Sequence, residues 1–413
     1  MPPMLGMLLV GILLRNLSLL SDPTAVEETF SGNLKTLALM VILMKGGLSL
    51  DVMEIRRVGW AVIRLAFIPC FVEAGIFAVL SVFLLRLPWI WGLMLGFVIA
   101  AVTPAIIVPC LLELKRRRFR VEENNINTML ISASSFDDVV AISAFMVCAS
   151  VAFSADKPLY LQILQGPIEI AIGFALGVVL GLLLWVTPPV GASGKVSHSA
   201  RFAMLLFLGV GLVFGLNHLN FSGSGPLSVI VMSITAIKGW REDEFVADSI
   251  DKLWFVGEPL LFGLVGRDVN LSLISLDLLW RAGVVILVSL LFRLLAAFLC
   301  VAGTGLTLRE RVFVCLSWLP KATVQAAIGS YALSLALELG SSEEIVGYAQ
   351  VLVTVAVLVI LTSAPLGSLL MFLTAPILLE KVEVEEPVMS EIEDGVSVDD
   401  RRSLRIDKDS TVH

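Results

Sequence analysis

The chain is poor in charge, in histidine and in tyrosine. Of its 413 residues 16% are Asp, Glu, Lys or Arg, three are His and three are Tyr. Charged residues make up about a quarter of an ordinary soluble domain, so the chain is too poor in charge, and too apolar, for that class. The five cysteines (Cys70, Cys110, Cys148, Cys300 and Cys315) all fall inside apolar runs. They fit no metal-ligand spacing and read as small core residues. No basic stretch interleaved with aromatics is present, so nothing points to nucleic acid as a partner. What is abundant is apolar: 57% hydrophobic residues and a mean hydropathy of +0.93. Such a composition predicts an all-α polytopic membrane protein, with membrane lipid as its partner. The net charge of -7 is partly a tail effect, because residues 380–413 are polar and acidic and are expected to be a disordered tail.

A spanning helix needs roughly 20 mostly apolar residues. About twelve segments qualify by hydropathy, approximately 4–20, 34–50, 60–85, 89–113, 125–153, 162–187, 200–218, 224–240, 253–266, 276–304, 311–336 and 346–378. The segment 253–266 is short for a span. Alternate loops carry the basic residues: Arg56 and Arg57; Lys115 to Arg118 and Arg120; Lys195 and Arg201; Arg241 and Lys252; Arg309 and Arg311. The opposite loops carry few, chiefly Arg86, Lys157 and Arg267. The positive-inside rule then places both termini in the cytoplasm. The first segment lacks the charged start and small-residue cleavage site of a signal peptide.

Ionisable residues inside a membrane are expensive and usually functional. The deep ones are Glu73, Asp137, Asp138, Arg293 and Lys321. Lys45, Arg64, Glu169 and Lys238 lie nearer helix ends, where snorkelling or interface anchoring is the simpler account. His218 ends a helix and reads as an interface residue; Glu258, in the short segment, fits either account. The sharpest signal is Ser134-Ser135-Phe136-Asp137-Asp138. From the helix start near Asn125, a rise of about 1.5 Å per residue puts the aspartates ~18–20 Å in, near mid-bilayer. Neighbouring side chains diverge by about 100°, so one carboxylate can face water while the other faces the packed core. Two close carboxylates held out of water bind protons readily and can exchange them for a small hard cation, which takes oxygen ligands. The hydroxyls of Ser134 and Ser135 lie one turn away and add oxygens. A salt-bridged or capping role is the alternative, but apolar helix continues on both sides.

Two prolines sit deep in spans: Ala101-Val102-Thr103-Pro104 and Trp318-Leu319-Pro320-Lys321. Proline breaks a helix, and freed carbonyls at membrane depth need protein or a cavity beside them. The spans 60–85, 89–113 and 125–153 carry Glu73, then Thr103 and Pro104, then Asp137 and Asp138. The spans 276–304, 311–336 and 346–378 carry Arg293, then Pro320 and Lys321, then Thr362. By the inferred topology the two sets start on opposite sides, which is the inverted repeat of many secondary transporters. Glu73 and Arg293, pseudo-symmetric and opposite in sign, are expected to pair. Lys321 is expected to bring positive charge to the crossover.

AVTPAIIVP, SFDDVVAI and SWLPKATVQAAIGS resemble the core motifs of the NHA-type sodium/proton antiporters, the 9B group of the sodium/hydrogen exchangers. These belong to the NhaA-like cation/proton antiporter superfamily. The resemblance runs from Pro2-Pro3-Met4-Leu5-Gly6 to about Lys381. It implies an inverted-repeat fold with two crossing broken helices, a homodimer, and elevator-type exchange of Na+ or Li+ for H+ without a cofactor. It implies Asp137 and Asp138 as the ion-binding pair, supported by Ser134 and Thr103. Pro104, Pro320 and Lys321 would lie in the broken helices, with Glu73 and Arg293 as a core salt bridge. On this likeness 60–153 and 276–379 form the ion-transport core, with 1–59 and 154–275 on the dimer side and 380–413 as the tail. Family members carry further N-terminal helices ahead of the MPPMLG stretch, so a shortened dimer region is expected here. That leaves a transport-inactive or regulatory shortened isoform as an alternative, beside a K+/H+ exchanger. The plasma membrane, an endolysosomal membrane and the mitochondrial inner membrane all remain open.

Other classes fit less well. An intramembrane aspartyl protease needs its aspartates on different helices, so an enzyme is not expected. A channel has no need of a titratable pair between broken helices. An organic-anion symporter would set its substrate against two carboxylates.

Overall fold

The computed structural model describes residues 3–17, 25–48, 59–121, 126–153, 159–187, 195–219, 221, 223–240, 244–269, 271 and 275–380. Arg56, Arg57, Lys157, Arg241 and the acidic tail beyond Glu380 lie outside the described residues. Within them the chain is helical and no strand forms. The helices are α1 (Pro3–Asn16), α2 (Ala25–Leu48), α3 (Trp60–Leu80, extended by a π-helical turn, Ser81–Leu85), α4 (Trp89–Ala100), α5 (Pro104–Arg116), α6 (Ile126–Ala152) and α7 (Leu159–Val186). They continue with α8 (Lys195–His218), α9 (Ser224–Trp240), α10 (Glu244–Arg267), α11 (Leu276–Cys300), α12 (Leu308–Leu316), α13 (Thr323–Glu338) and α14 (Glu343–Leu378).

Among the described residues seven stretches are long and apolar enough to cross a membrane: Trp60–Leu85, Trp89–Arg116, Ile126–Ala152, Gly166–Val186, Ser197–His218, Leu276–Cys300 and Glu343–Leu378. The other five segments read from sequence correspond to α1, α2, α9, α10 and the α12–α13 pair, which are shorter, more polar or interrupted. Segment 253–266 is the second half of a longer helix, because α10 begins at Glu244 and runs 24 residues. Its first turns carry Glu244, Asp248, Asp251 and Lys252, which hid them from a hydropathy count.

Two helices are interrupted where the prolines stand. α4 stops at Ala100; Ala101 is extended (φ -63°, ψ 137°), as is Thr103 (φ -96°, ψ 105°). Pro104 opens α5 at its first turn, where a missing N–H leaves nothing unsatisfied. α12 is started by a capping box: Thr307 accepts from the Glu310 N–H and Glu310 accepts from the Thr307 N–H. It ends at Leu316, and α13 restarts at Thr323 beyond Pro320. Proline alone does not break a span in this chain. Pro69, Pro109, Pro167, Pro259 and Pro365 all sit inside continuous helices.

The helices pack in two groups. In one, α1 and α2 lie on α10, and α9 lies on α2, α7 and α8. In the other, α3 packs on α4, α6 and α11, while α14 packs on α13, α12 and α5. The groups meet where α13 lies against α2 and α6 against α7. α3 comes very close to α4: a Cβ on Gly96 would lie 2.4 Å from the carbonyl oxygen of Ala74. That approach brings Glu73, one residue earlier, to the broken end of α4.

Candidate functional site

The two interruptions cross and bond to each other. The Thr103 N–H donates to Pro320 O at 3.1 Å, and the Ala322 N–H donates to Thr103 Oγ1 at 2.7 Å. Thr103, Ala322 and Gln325 are all buried. A helix C-terminus leaves its last carbonyls without intrahelical donors, and burying them unpaired is costly. Here side chains from α11, from α13 and from the break before α13 supply the donors. Gln325 Nε2 donates to Val98 O at 3.1 Å and to Ala101 O at 2.6 Å. Lys321 Nζ donates to Ile99 O, and Arg293 Nη1 donates to Ala100 O. The two cations thus stand at the negative end of the α4 dipole, where positive charge is stabilising.

The same cations hold the carboxylates. Arg293 lies 2.5 Å from Glu73 Oε2 and 3.1 Å from Asp137 Oδ2. Lys321 Nζ donates to both oxygens of Glu73 at 2.7 Å. Glu73, Asp137, Arg293 and Lys321 are each at most 1% exposed. Asp137 Oδ2 also accepts the Val102 N–H at 2.8 Å. Asp138, the next residue on α6, makes no bond to this network and is partly exposed. The Oδ1 atoms of both aspartates are shielded and lack a hydrogen-bond partner among the described residues. Glu73 and Asp137 balance Arg293 and Lys321, so the carboxylate of Asp138 beside them is the formal negative charge left unmatched when all are ionised.

The residues singled out from sequence mostly converge here. Glu73, Thr103, Pro104, Asp137, Arg293, Pro320 and Lys321 come together at the crossing, and Asp138 stands beside it. Ser134 and Ser135 are buried, each donating its hydroxyl to Ile131 O, at 3.0 and 3.1 Å, so only their oxygen lone pairs remain free. Thr362 does not take part. It is exposed and bonds to Leu358 O. The next residue, Ser363, is the one that faces the crossing, 3.4 Å from Lys321 O. A Cβ on Gly367, one turn further on, would lie 2.6 Å from the Pro320 ring, so α14 lies directly on the break. Glu169 is not an interface anchor: it is buried, and its Oε2 accepts from Ser150 Oγ at 2.6 Å and the Gly223 N–H at 2.7 Å. It ties α7 to α6 and to the start of α9. Gln325 was not picked out from sequence beyond its place in a motif.

A cavity of about 380 Å3 opens between the two helix groups. Arg15, Lys35 and Arg267 line it from one group, and Tyr331, Ser334 and Thr354 from the other. Asp137 and Asp138 do not line it.

A family model described as sodium/hydrogen exchanger, transmembrane, matches residues 1–375. The chain belongs to the sodium/hydrogen exchanger family. Within that family it resembles sodium/hydrogen exchanger 9B2 of Homo sapiens, at 39% identity over 93% of this chain and 71% of the relative. Sodium/hydrogen exchanger 9B1 of Homo sapiens is 36% identical over 92% of this chain and 73% of the relative. Among solved structures the fold resembles that of the sodium proton antiporter MjNhaP1 from Methanocaldococcus jannaschii, with a TM-score of 0.68 over 92% of both chains at 21% identity. This exchanger-family chain is thus a multi-pass membrane protein with an antiporter fold.

Proposed function

We propose that the protein is a secondary active antiporter that exchanges Na+ or Li+ for H+, with Asp137 and Asp138 binding cation and proton in turn. One observation carries the reading: two adjacent aspartates, each with an unpartnered Oδ1, stand at and beside the crossing of two broken helices, and no cation balances the second of them, Asp138. A buried excess charge is costly, and any monovalent cation, proton or alkali ion, removes it. Both ions satisfy the same groups, so binding one excludes the other and the exchange is coupled without further machinery. The relatives named sodium/hydrogen exchanger support the reading. Hydroxyl oxygens of Ser134 and Thr103, backbone carbonyls and water would complete the coordination of a hard cation.

In this reading the chain crosses the membrane about twelve times as an inverted repeat, with its basic loops and both termini on the cytoplasmic side. The group α3 to α6 with α11 to α14 moves as the ion-carrying core, and the other group is the scaffold of a homodimer. The cleft beside Lys35 and Tyr331 is then one of the seams along which they slide.

The test is Na+-driven proton flux in proteoliposomes, run with Na+, Li+ and K+ in turn. Asp138→Asn is expected to abolish the flux. Undiminished flux in Asp138→Asn refutes the assignment, and flux with K+ alone replaces the substrate.

A further inference from the structure

We propose that Gln325 is a positioning residue for Asp137, acting through the Ala101–Val102 peptide bond; the role rests on the exchange reading above. Gln325 lies in the first turn of α13 and is fully buried. Its amide nitrogen donates to Val98 O and, at 2.6 Å, to Ala101 O. The orientation is determined by chemistry, since a flipped amide would aim its oxygen at two carbonyls. Ala101 O and the Val102 N–H belong to one peptide unit, which is planar and trans, so its oxygen and hydrogen point in opposite directions. On the far side the Val102 N–H donates to Asp137 Oδ2 at 2.8 Å. The chain of bonds therefore runs from Gln325 through one peptide to the carboxylate.

This peptide lies in the interruption, where no helical bond restrains it. Gln325 fixes its oxygen and Asp137 receives its hydrogen. Donation to the oxygen polarises the peptide and strengthens its N–H as a donor. A donor on Oδ2 fixes the carboxylate and leaves its Oδ1, which has no partner, as the free oxygen. Gln325 Oε1 is buried without a partner, which costs stability. An apolar side chain of the same length would avoid that cost, so what the position supplies is its donor. Without it the Ala101–Val102 peptide can rotate, Asp137 loses the Val102 N–H, and the carboxylate is no longer held in place for Na+.

The test compares wild type, Gln325→Met and Gln325→Asn in proteoliposomes across a pH series, with the apparent KM for Na+ and the kcat read separately. Met has the length without the donor. Asn keeps a polar amide for folding but falls short of Ala101 O. The role requires the Na+ KM to rise about three- to tenfold, the factor carried by one hydrogen bond. It also requires kcat at saturating Na+ and alkaline pH to be largely kept. If either variant folds and exchanges with an unmoved KM, or loses only kcat, the role is overturned while the exchange reading stands. A wild type without cation-dependent proton flux overturns the exchange reading and the role together.

Discussion

Lys321 grips Glu73 by both carboxylate oxygens, 2.7 Å from each, although the two residues lie 248 positions apart in the chain. Arg293 also touches Glu73, but it is shared with Asp137. The cluster therefore divides into a Glu73–Lys321 pair and an Arg293–Asp137 pair joined by one contact. Removing one partner of a buried pair costs about 3–5 kcal/mol, because the other is left charged and dry. Glu73→Gln and Lys321→Met are each expected to melt far below wild type. The Glu73→Gln/Lys321→Met double variant is expected to melt above the lower of the two singles. It should also exceed Glu73→Gln/Arg293→Met, which separates Lys321 from its carboxylate and Asp137 from its guanidinium. Equal melting of all five proteins would show that these charges do not depend on one another.

The adjacent aspartates are expected to differ in what they do for stability. Asp137 holds Arg293 and the Val102 N–H, whereas Asp138 is partly exposed and its Oδ1 has no partner. Asp137→Asn removes the charge opposite Arg293 and is expected to cost about 3 kcal/mol or more. Asp138→Asn removes a carboxylate that nothing pairs and is expected to melt no lower than wild type at neutral pH. Both variants should lose exchange. Thermal unfolding in detergent separates the two effects, and a larger loss in Asp138→Asn than in Asp137→Asn would contradict the geometry.

Much of the site was legible in the chain because the membrane makes charge conspicuous. Glu73, Asp137, Asp138, Arg293 and Lys321 stand out against apolar neighbours at a depth where charge is rare. Pro104 and Pro320 marked the interruptions because hydroxyls and a lysine stood beside them, a distinction that Pro109 lacks. Gln325 and Ser363 did not stand out. An uncharged polar residue in an apolar helix is unremarkable until the carbonyl it serves is known. Gln325 serves Val98 and Ala101, more than 220 positions away. Thr362 and Ser363 differ by one step of a helix, about 100° of direction, which residue spacing alone did not resolve. Glu169 was misread because distance from a helix end says little when a neighbouring helix, here α9, starts at the same depth.

The closeness of α3 and α4 sets the position of Glu73 and can be tested without touching a charge. A Cβ at Gly96 would meet Ala74 O at 2.4 Å, closer than real Cβ contacts, and the obstacle is backbone. Gly96→Ala is expected to destabilise by about 1–3 kcal/mol through overpacking. It should also depress exchange, because α3 must move away and carry Glu73 from Lys321. Gly75→Ala, whose Cβ would meet nothing within 4 Å, is the control on the same helix as Glu73. It is expected to stay within about 0.5 kcal/mol of wild type. A tolerated Gly96→Ala with full exchange would mean that the helices have room the geometry denies.

One of the two direct bonds between the interruptions runs to a hydroxyl, and its removal isolates one donor. Thr103 Oγ1 accepts the Ala322 N–H at 2.7 Å, and both groups are buried. Thr103→Val keeps the shape but leaves that N–H without an acceptor, at a cost of about 1–3 kcal/mol. Thr103→Ser keeps the oxygen and loses a methyl group, at about 1 kcal/mol or less. Melting should therefore fall further in the valine variant than in the serine variant, although valine is the better match in volume. Exchange should follow the same order, because α13 is anchored to the α4–α5 break through this oxygen and the Thr103–Pro320 bond. If serine proves the more damaging change in both measurements, the methyl group and not the hydroxyl holds the crossing together.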